Sequence, residues 1–205
     1  MKKHLTITAL FVAMLLPSLA KAQLTTTVAD GTTTNTYIPI YGLWVDDYTR
    51  SQMIYPASML EDLTPGSEIS SLTFFSSTAN QNWGAATFDV KLGEVTETTL
   101  SSYLTYSATT VYSGALTISN TEMTITFTTP YTYQGGNLLI EFWQTVEGTY
   151  HGEPFYGISV NGASTSGYNS SSAGSATFNQ RNFLAKMEIG KLKKLETGQE
   201  PVPVI

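Results

Sequence analysis

Cysteine is missing from this chain, which excludes disulfide frameworks, thiol nucleophiles and cysteine-ligated metals at once. Charge is scarce: Asp, Glu, Lys and Arg make up 13% of residues, and ten basic side chains face sixteen acidic ones. An acidic, Lys/Arg-poor surface argues against nucleic acid and anionic lipid as partners. Histidine is nearly absent too. His4 falls in the N-terminal leader described below, which leaves His151 alone. A Ser-His-Asp triad would have to use it, and no G-x-S-x-G segment accompanies it. Zinc on one histidine and no cysteine would need carboxylates for its remaining ligands. The plain reading of Thr149-Tyr150-His151-Gly152-Glu153 is a loop histidine near a turn. Beyond residue 22 no run is apolar and long enough to cross a bilayer, so no membrane insertion is expected.

What is present begins with an address. Lys2-Lys3 form a positive start, Leu5 to Leu16 an apolar stretch too short to span, and Ala20-Lys21-Ala22 a small-residue cleavage site. Residues 1–22 therefore read as a signal peptide, and the protein as exported: cell surface, secreted or periplasmic. Losing Lys2, Lys3 and Lys21 takes the formal charge from −6 to −9. Removing 22 of 205 residues leaves 183, enough for one domain that buries roughly 70% of its unfolded surface. The domain is expected over 23–190. Residues 191–205, charged and then Pro-rich, read as a linker-like tail. That tail suggests a domain standing at the N-terminal end of a longer surface protein.

Period-two alternation is the strongest structural signal. Phe88, Val90 and Leu92 alternate with Asp89 and Lys91, and Met123, Ile125 and Phe127 with Glu122, Thr124 and Thr126. Leu138, Ile140 and Phe142 oppose Leu139, Glu141 and Trp143; Met53 and Tyr55 oppose Gln52 and Ile54. Tyr37 to Trp44 reads as a further strand, at an edge or bulged because of Pro39. Residues 57–63 read as a short helix and 97–103 as one helical turn. Strands 121–128 and 137–146 suggest a hairpin-like pair, and 163–177 (ASTSGYNSSSAGSAT) a long flexible loop or twisted edge. Residues 24–28 fit either a first strand or a tether. The count predicts an all-β antiparallel sandwich, jelly-roll-like, with an immunoglobulin-like arrangement as the alternative.

Candidate chemistry is thin. Trp44, Trp83, Trp143, Tyr48 and Tyr150 could stack on sugar rings, and Trp83 is favoured because Asn80, Gln81 and Asn82 place amides beside it. Asp46 and Asp47 could join a calcium site, against the plainer reading of a solvated turn. Two carboxylates across a concave sheet would suit glycoside hydrolysis. Glu141, on the face of Trp143, could be opposed by Glu147, Glu153 or Asp89, but no acidic cluster marks such a pair and no catalysis is expected.

The run G-T-x-T-N-x-Y-I-P-I-Y-G at 31–42, followed by S-Q-M-I-Y-P-A-S-M-L at 51–60, resembles the opening of a β-sandwich module in secreted surface proteins of Bacteroidetes bacteria. Phe88 to Gly93 and Leu138 to Phe142 fit the same pattern. The resemblance implies an exported binding or adhesion module with no catalytic residues, its partner a glycan or a surface protein. A carbohydrate-active enzyme or its accessory module, and a ligand-free spacer, are the alternatives.

Overall fold

Strands whose apolar residues recur every second position have to bury one face, and here two sheets bury theirs against each other. The computed structural model describes residues 23–192. In chain order the first strands are β1 (Gln23–Val28), β2 (Thr33–Asn35), β3 (Tyr48–Tyr55), β4 (Glu68–Phe75) and β5 (Gln81–Asn82). Next come β6 (Thr87–Val95), β7 (Thr109–Gly114), β8 (Thr117–Ile118), β9 (Glu122–Thr132) and β10 (Asn137–Val146). The last are β11 (Phe155–Ile158), β12 (Ser164–Asn169), β13 (Gln180–Arg181), β14 (Leu184–Ala185) and β15 (Met187–Leu192).

One sheet runs β1-β15-β4-β9 and the other β13-β12-β3-β10-β6-β7, every pairing antiparallel. Successive long strands switch between the sheets, as a jelly-roll-like sandwich requires. Met53, Tyr55, Val90, Leu92, Ile140 and Phe142 meet Leu72, Phe74, Ile125 and Ile189 in one buried core. Phe74 and Phe142 close it edge to face, 5.6 Å apart at 69°. Each such side chain contributes about 1.5–3 kcal/mol through its buried area. Tyr55 reaches across the sandwich to donate to the Ala185 carbonyl at 2.7 Å, and burial pushes its phenol pKa up.

The alternation holds to the residue. Strands β6 and β10 span 87–95 and 137–146, and Gln52 and Ile54 do lie opposite Met53 and Tyr55 across the sheet plane. Of the two readings of residues 24–28, the strand is right. Five other expectations need correction. Residues 37–44 form no strand but bends and a 3-10 turn at Gly42–Trp44, folded over the end of β3, where Ser51 donates to the Pro39 carbonyl. Their apolar residues point into the core without any ladder: Ile38 and Ile40 are fully buried. The helix at 57–63 shrinks to a 3-10 turn at Ala57–Met59, and 97–103 has no helix. Strands β9 and β10 are not a hairpin; residues 133–136 carry the chain from one sheet to the other, so β9 pairs with β4 and β10 with β3 and β6.

The fifth matters most: the flexible loop read at 163–177 gives way to the other alternative, strand next to the sheet edge. Within 163–177 lies β12, a buried strand beside β3. It has no apolar alternation because its hydroxyls are satisfied by backbone instead. Thr165 donates to the Asn179 carbonyl at 2.9 Å and Ser164 to Phe183 at 2.5 Å. Gly167 is packed so closely on the Thr177 carbonyl that no Cβ fits. The proposed leader and residues 193–205 of the proposed tail lie outside the described residues.

Candidate functional site

Three loops meet at one end of the sandwich and gather most of the residues singled out from sequence. The Gly148 N–H donates to the Val45 carbonyl, Thr149 to Trp83 and His151 to Gly42, each at 2.9 Å. Gly42 is required at its position, since a Cβ would overlap the His151 carbonyl and the Trp83 indole.

Trp83 is not a ligand platform. It is 1% exposed, donates its indole N–H to the His151 carbonyl at 2.8 Å, and packs edge to face on Phe88. A ring with no free face cannot stack on a sugar, so the amide-flanked tryptophan belongs to the core. The neighbouring amides shape turns. Asn80 and Asn120 exchange hydrogen bonds, Asn82 accepts from the Gly84 N–H at 2.9 Å, and Gln81 meets His151 Nε2 at 2.6 Å. His151 Nε2 also lies 2.6 Å from Glu153 Oε1. Glu153 is buried and its Oε2 lacks a well-formed hydrogen bond. Burial raises its pKa, and the neighbouring His151 and Thr78 offset this only in part. Asp46 is exposed, while the Asp47 carbonyl accepts from Gln144 Nε2 at 2.9 Å. Among the described residues no third acidic or histidine side chain joins them in a metal-binding group.

Trp44 is different. It is 37% exposed and lies flat on Tyr168, ring centres 3.8 Å apart at 2°. Tyr168 covers one indole face, and over a third of the residue's surface still meets solvent. The stack continues as a row. Tyr41 meets Tyr168 edge to face at 6.1 Å, Tyr37 meets Tyr41 at 5.3 Å, and the Arg181 guanidinium caps Tyr37 at 4.0 Å. Tyr37, Tyr41 and Tyr168 are all half-buried. Arg181 is held by its Nε bond to Ser166 at 3.0 Å. Tyr150, 57% exposed, stands on the loop tied to Gly42, near the Trp44 end. Sequence reasoning named Trp44 and Tyr150 but missed the other three rings. Tyr37 and Tyr41 read as strand residues, and Tyr168 as the one aromatic of a polar stretch that fits a flexible loop or a twisted edge.

The outward face of the six-stranded sheet carries a second constellation. Cross-strand register sets Arg50 beside Trp143, and Gln52, Glu141 and Lys91 in line on three strands. Arg50 Nε donates to Glu141 Oε1 at 2.6 Å, Gln52 Nε2 adds a bond to the same oxygen at 2.9 Å, and Tyr106 reaches Oε2 at 3.3 Å. The Arg50 guanidinium lies 4.2 Å from the Tyr103 ring centre and 4.9 Å from that of Trp143; the Lys91 ammonium lies 4.1 Å from Trp143. Burial raises the Tyr103 phenol to about 12, and burial with the Glu141 charge raises Tyr106 as well, so both remain hydrogen-bond donors at neutral pH. An open groove of about 300 Å³ lies over these residues.

Glu141 therefore faces Trp143's side, as the alternation requires, but as a carboxylate paired with Arg50 through Oε1, with Oε2 holding one longer bond from Tyr106. Asp89 Oδ1 is engaged by Ser113 at 2.7 Å, Glu147 is exposed, and Glu153 sits under the loops at the end. No protein-family model, curated protein or solved structure matches this chain.

Proposed function

We propose that this chain is an exported binding or adhesion module, without catalysis, that takes a glycan along the row Trp44-Tyr168-Tyr41-Tyr37. The observation that carries the reading is Trp44: a large aromatic still 37% exposed while Tyr168 holds it flat from one side. A flat ring held in place meets the apolar face of a pyranose without losing side-chain freedom on binding. The tyrosine hydroxyls and Arg181 along the same row offer polar contacts for the ring's substituents. The N-terminal leader supports export, and the opening run at 31–42, which resembles that of Bacteroidetes surface modules, supplies Tyr37 and Tyr41 to the row.

A surface protein is the second reading. Val146 and Tyr150, both exposed, adjoin the Trp44 loop, and exposed apolar residues grouped in this way are what protein partners cover. A glycan array probed with the purified chain, beside Trp44→Ala and Tyr41→Ala, separates the two. Reproducible glycan hits that weaken about tenfold in both variants support the first reading. A blank array on folded protein moves the assignment to a protein partner or a spacer. At Asp46 and Asp47 the reading is a solvated turn rather than a calcium site, tested by melting with the ion and with chelator.

A further inference from the structure

The outer groove goes beyond that reading, because it is a separate site with its own chemistry. We infer that it binds an acidic saccharide, holding a uronate-type carboxylate between Arg50 and Lys91. The described residues of this acidic chain hold five basic side chains, and two of them meet here. The others are occupied: Lys186 pairs with Asp30 at 2.5 Å, Lys191 reaches the Asp62 carbonyl, and Arg181 holds Ser166 and caps the aromatic row. In the groove, Arg50 commits only its Nε, to Glu141. Among the described residues its two Nη atoms make no hydrogen bond, and no carboxylate stands within ion-pair distance of Lys91.

Both cations are fixed before any ligand arrives. Arg50 lies between two rings and Lys91 against the indole, so little side-chain freedom is lost on binding. The free Nη edge of a guanidinium matches the two oxygens of a planar carboxylate. Since Arg50 already neutralises Glu141, the Lys91 charge is left over to favour an anion.

The same wall carries groups for a hydroxylated ring. Glu141 Oε2 accepts only one long bond, from Tyr106, and Thr105 adds a hydroxyl at the rim. A sugar acid combines a carboxylate with hydroxyl donors and fits this pairing. An acidic peptide brings carboxylates without the hydroxyls that Glu141 Oε2 and Thr105 would meet. The indole itself is not the platform, since both cations already lie against it.

The test is calorimetry on the exported chain with oligogalacturonate and oligoglucuronate, their methyl esters, a sulfated oligosaccharide and tetraglutamate. We expect one uronate series to bind, more weakly as salt rises, with at least a tenfold loss on methyl esterification. Lys91→Gln, whose melting temperature should match the parent, should lose about tenfold, and Arg50→Lys should lose as much. Trp44→Ala should leave this binding unchanged, which keeps failure here distinct from failure of the aromatic row. Failure of both uronates, equal binding of the methyl esters, no change in Lys91→Gln, or tighter binding of the sulfated sugar or tetraglutamate would overturn the inference.

Discussion

The aromatic row and the outer groove use the same parts, rings and guanidinium groups, to opposite ends. In the row, rings lie against rings, Trp44 stays partly exposed, and the single cation sits at the far end over Tyr37. In the groove, cations lie against the rings, and what stays open is the polar edge of Arg50 and the Lys91 ammonium. The difference comes from the backbone beneath. Arg50, Lys91, Glu141 and Trp143 project from paired strands whose register fixes their spacing, with Tyr103 and Tyr106 laid over them from the segment between β6 and β7. The row, by contrast, is assembled from a 3-10 turn, its approach and one strand end. Ring-to-ring packing leaves an apolar surface available; ring-to-cation packing leaves a charged one.

Substitutions can break this contrast, the largest effects first. Trp83→Ala should cost about 3–5 kcal/mol, as loss of a buried tryptophan does, and chemical unfolding would show it. A loss under about 1 kcal/mol would return Trp83 to the surface and to the list of ligand contacts. Next, Glu141→Ala should cost about 3 kcal/mol, because it strands Arg50 between two rings without its carboxylate. The matching change in the row, Arg181→Ala, removes an unpaired cation and should cost about 1 kcal/mol. Equal losses would mean that the two guanidinium groups play the same structural part. Trp44→Ala should cost about 1 kcal/mol of stability while abolishing most glycan binding, a split that a merely structural ring would not give.

The pH dependence comes next. Burial raises Glu153 above the ordinary carboxylate value, so the folded state holds its proton more firmly than the unfolded chain does. Its contribution to stability is then complete at low pH and is lost as pH climbs through the raised value. Glu153→Gln should gain on the parent across that interval in unfolding titrations at stepped pH; a constant gap would show that Glu153 ionises normally. The smallest effect is expected at Asp46-Asp47, where millimolar calcium should leave the melting curve within about a degree. A rise of several degrees would make the turn an ion site after all.

Where side chains alternate, sequence was a faithful guide. The faces of β3, β6 and β10 follow from period two alone, and with them Glu141 beside Trp143. It failed where burial is achieved without apolar residues. β12 reads as a polar loop because its hydroxyls bond to the backbone of 177–183, and so Tyr168, the partner of Trp44, stayed hidden. Residues 37–44 failed the other way: β-branched and aromatic residues suggested a ladder, but Ile38 and Ile40 enter the core from a folded-over segment. Trp83 beside three amides looked like recognition chemistry. Nothing local reveals that its N–H is spent on His151, which lies 68 residues away.

The pairing of β1 with β15, Gln23 opposite Leu192 through Val28 opposite Met187, also sets a timetable. The first strand of the domain has no partner until the last one exists, and β3 waits for β10 and β12 on either side. Such long-range closure is slow and cannot be completed piecemeal. For a chain exported as proposed, that delay is useful: threaded outward from its N-terminus, it stays loose until its final strand is through.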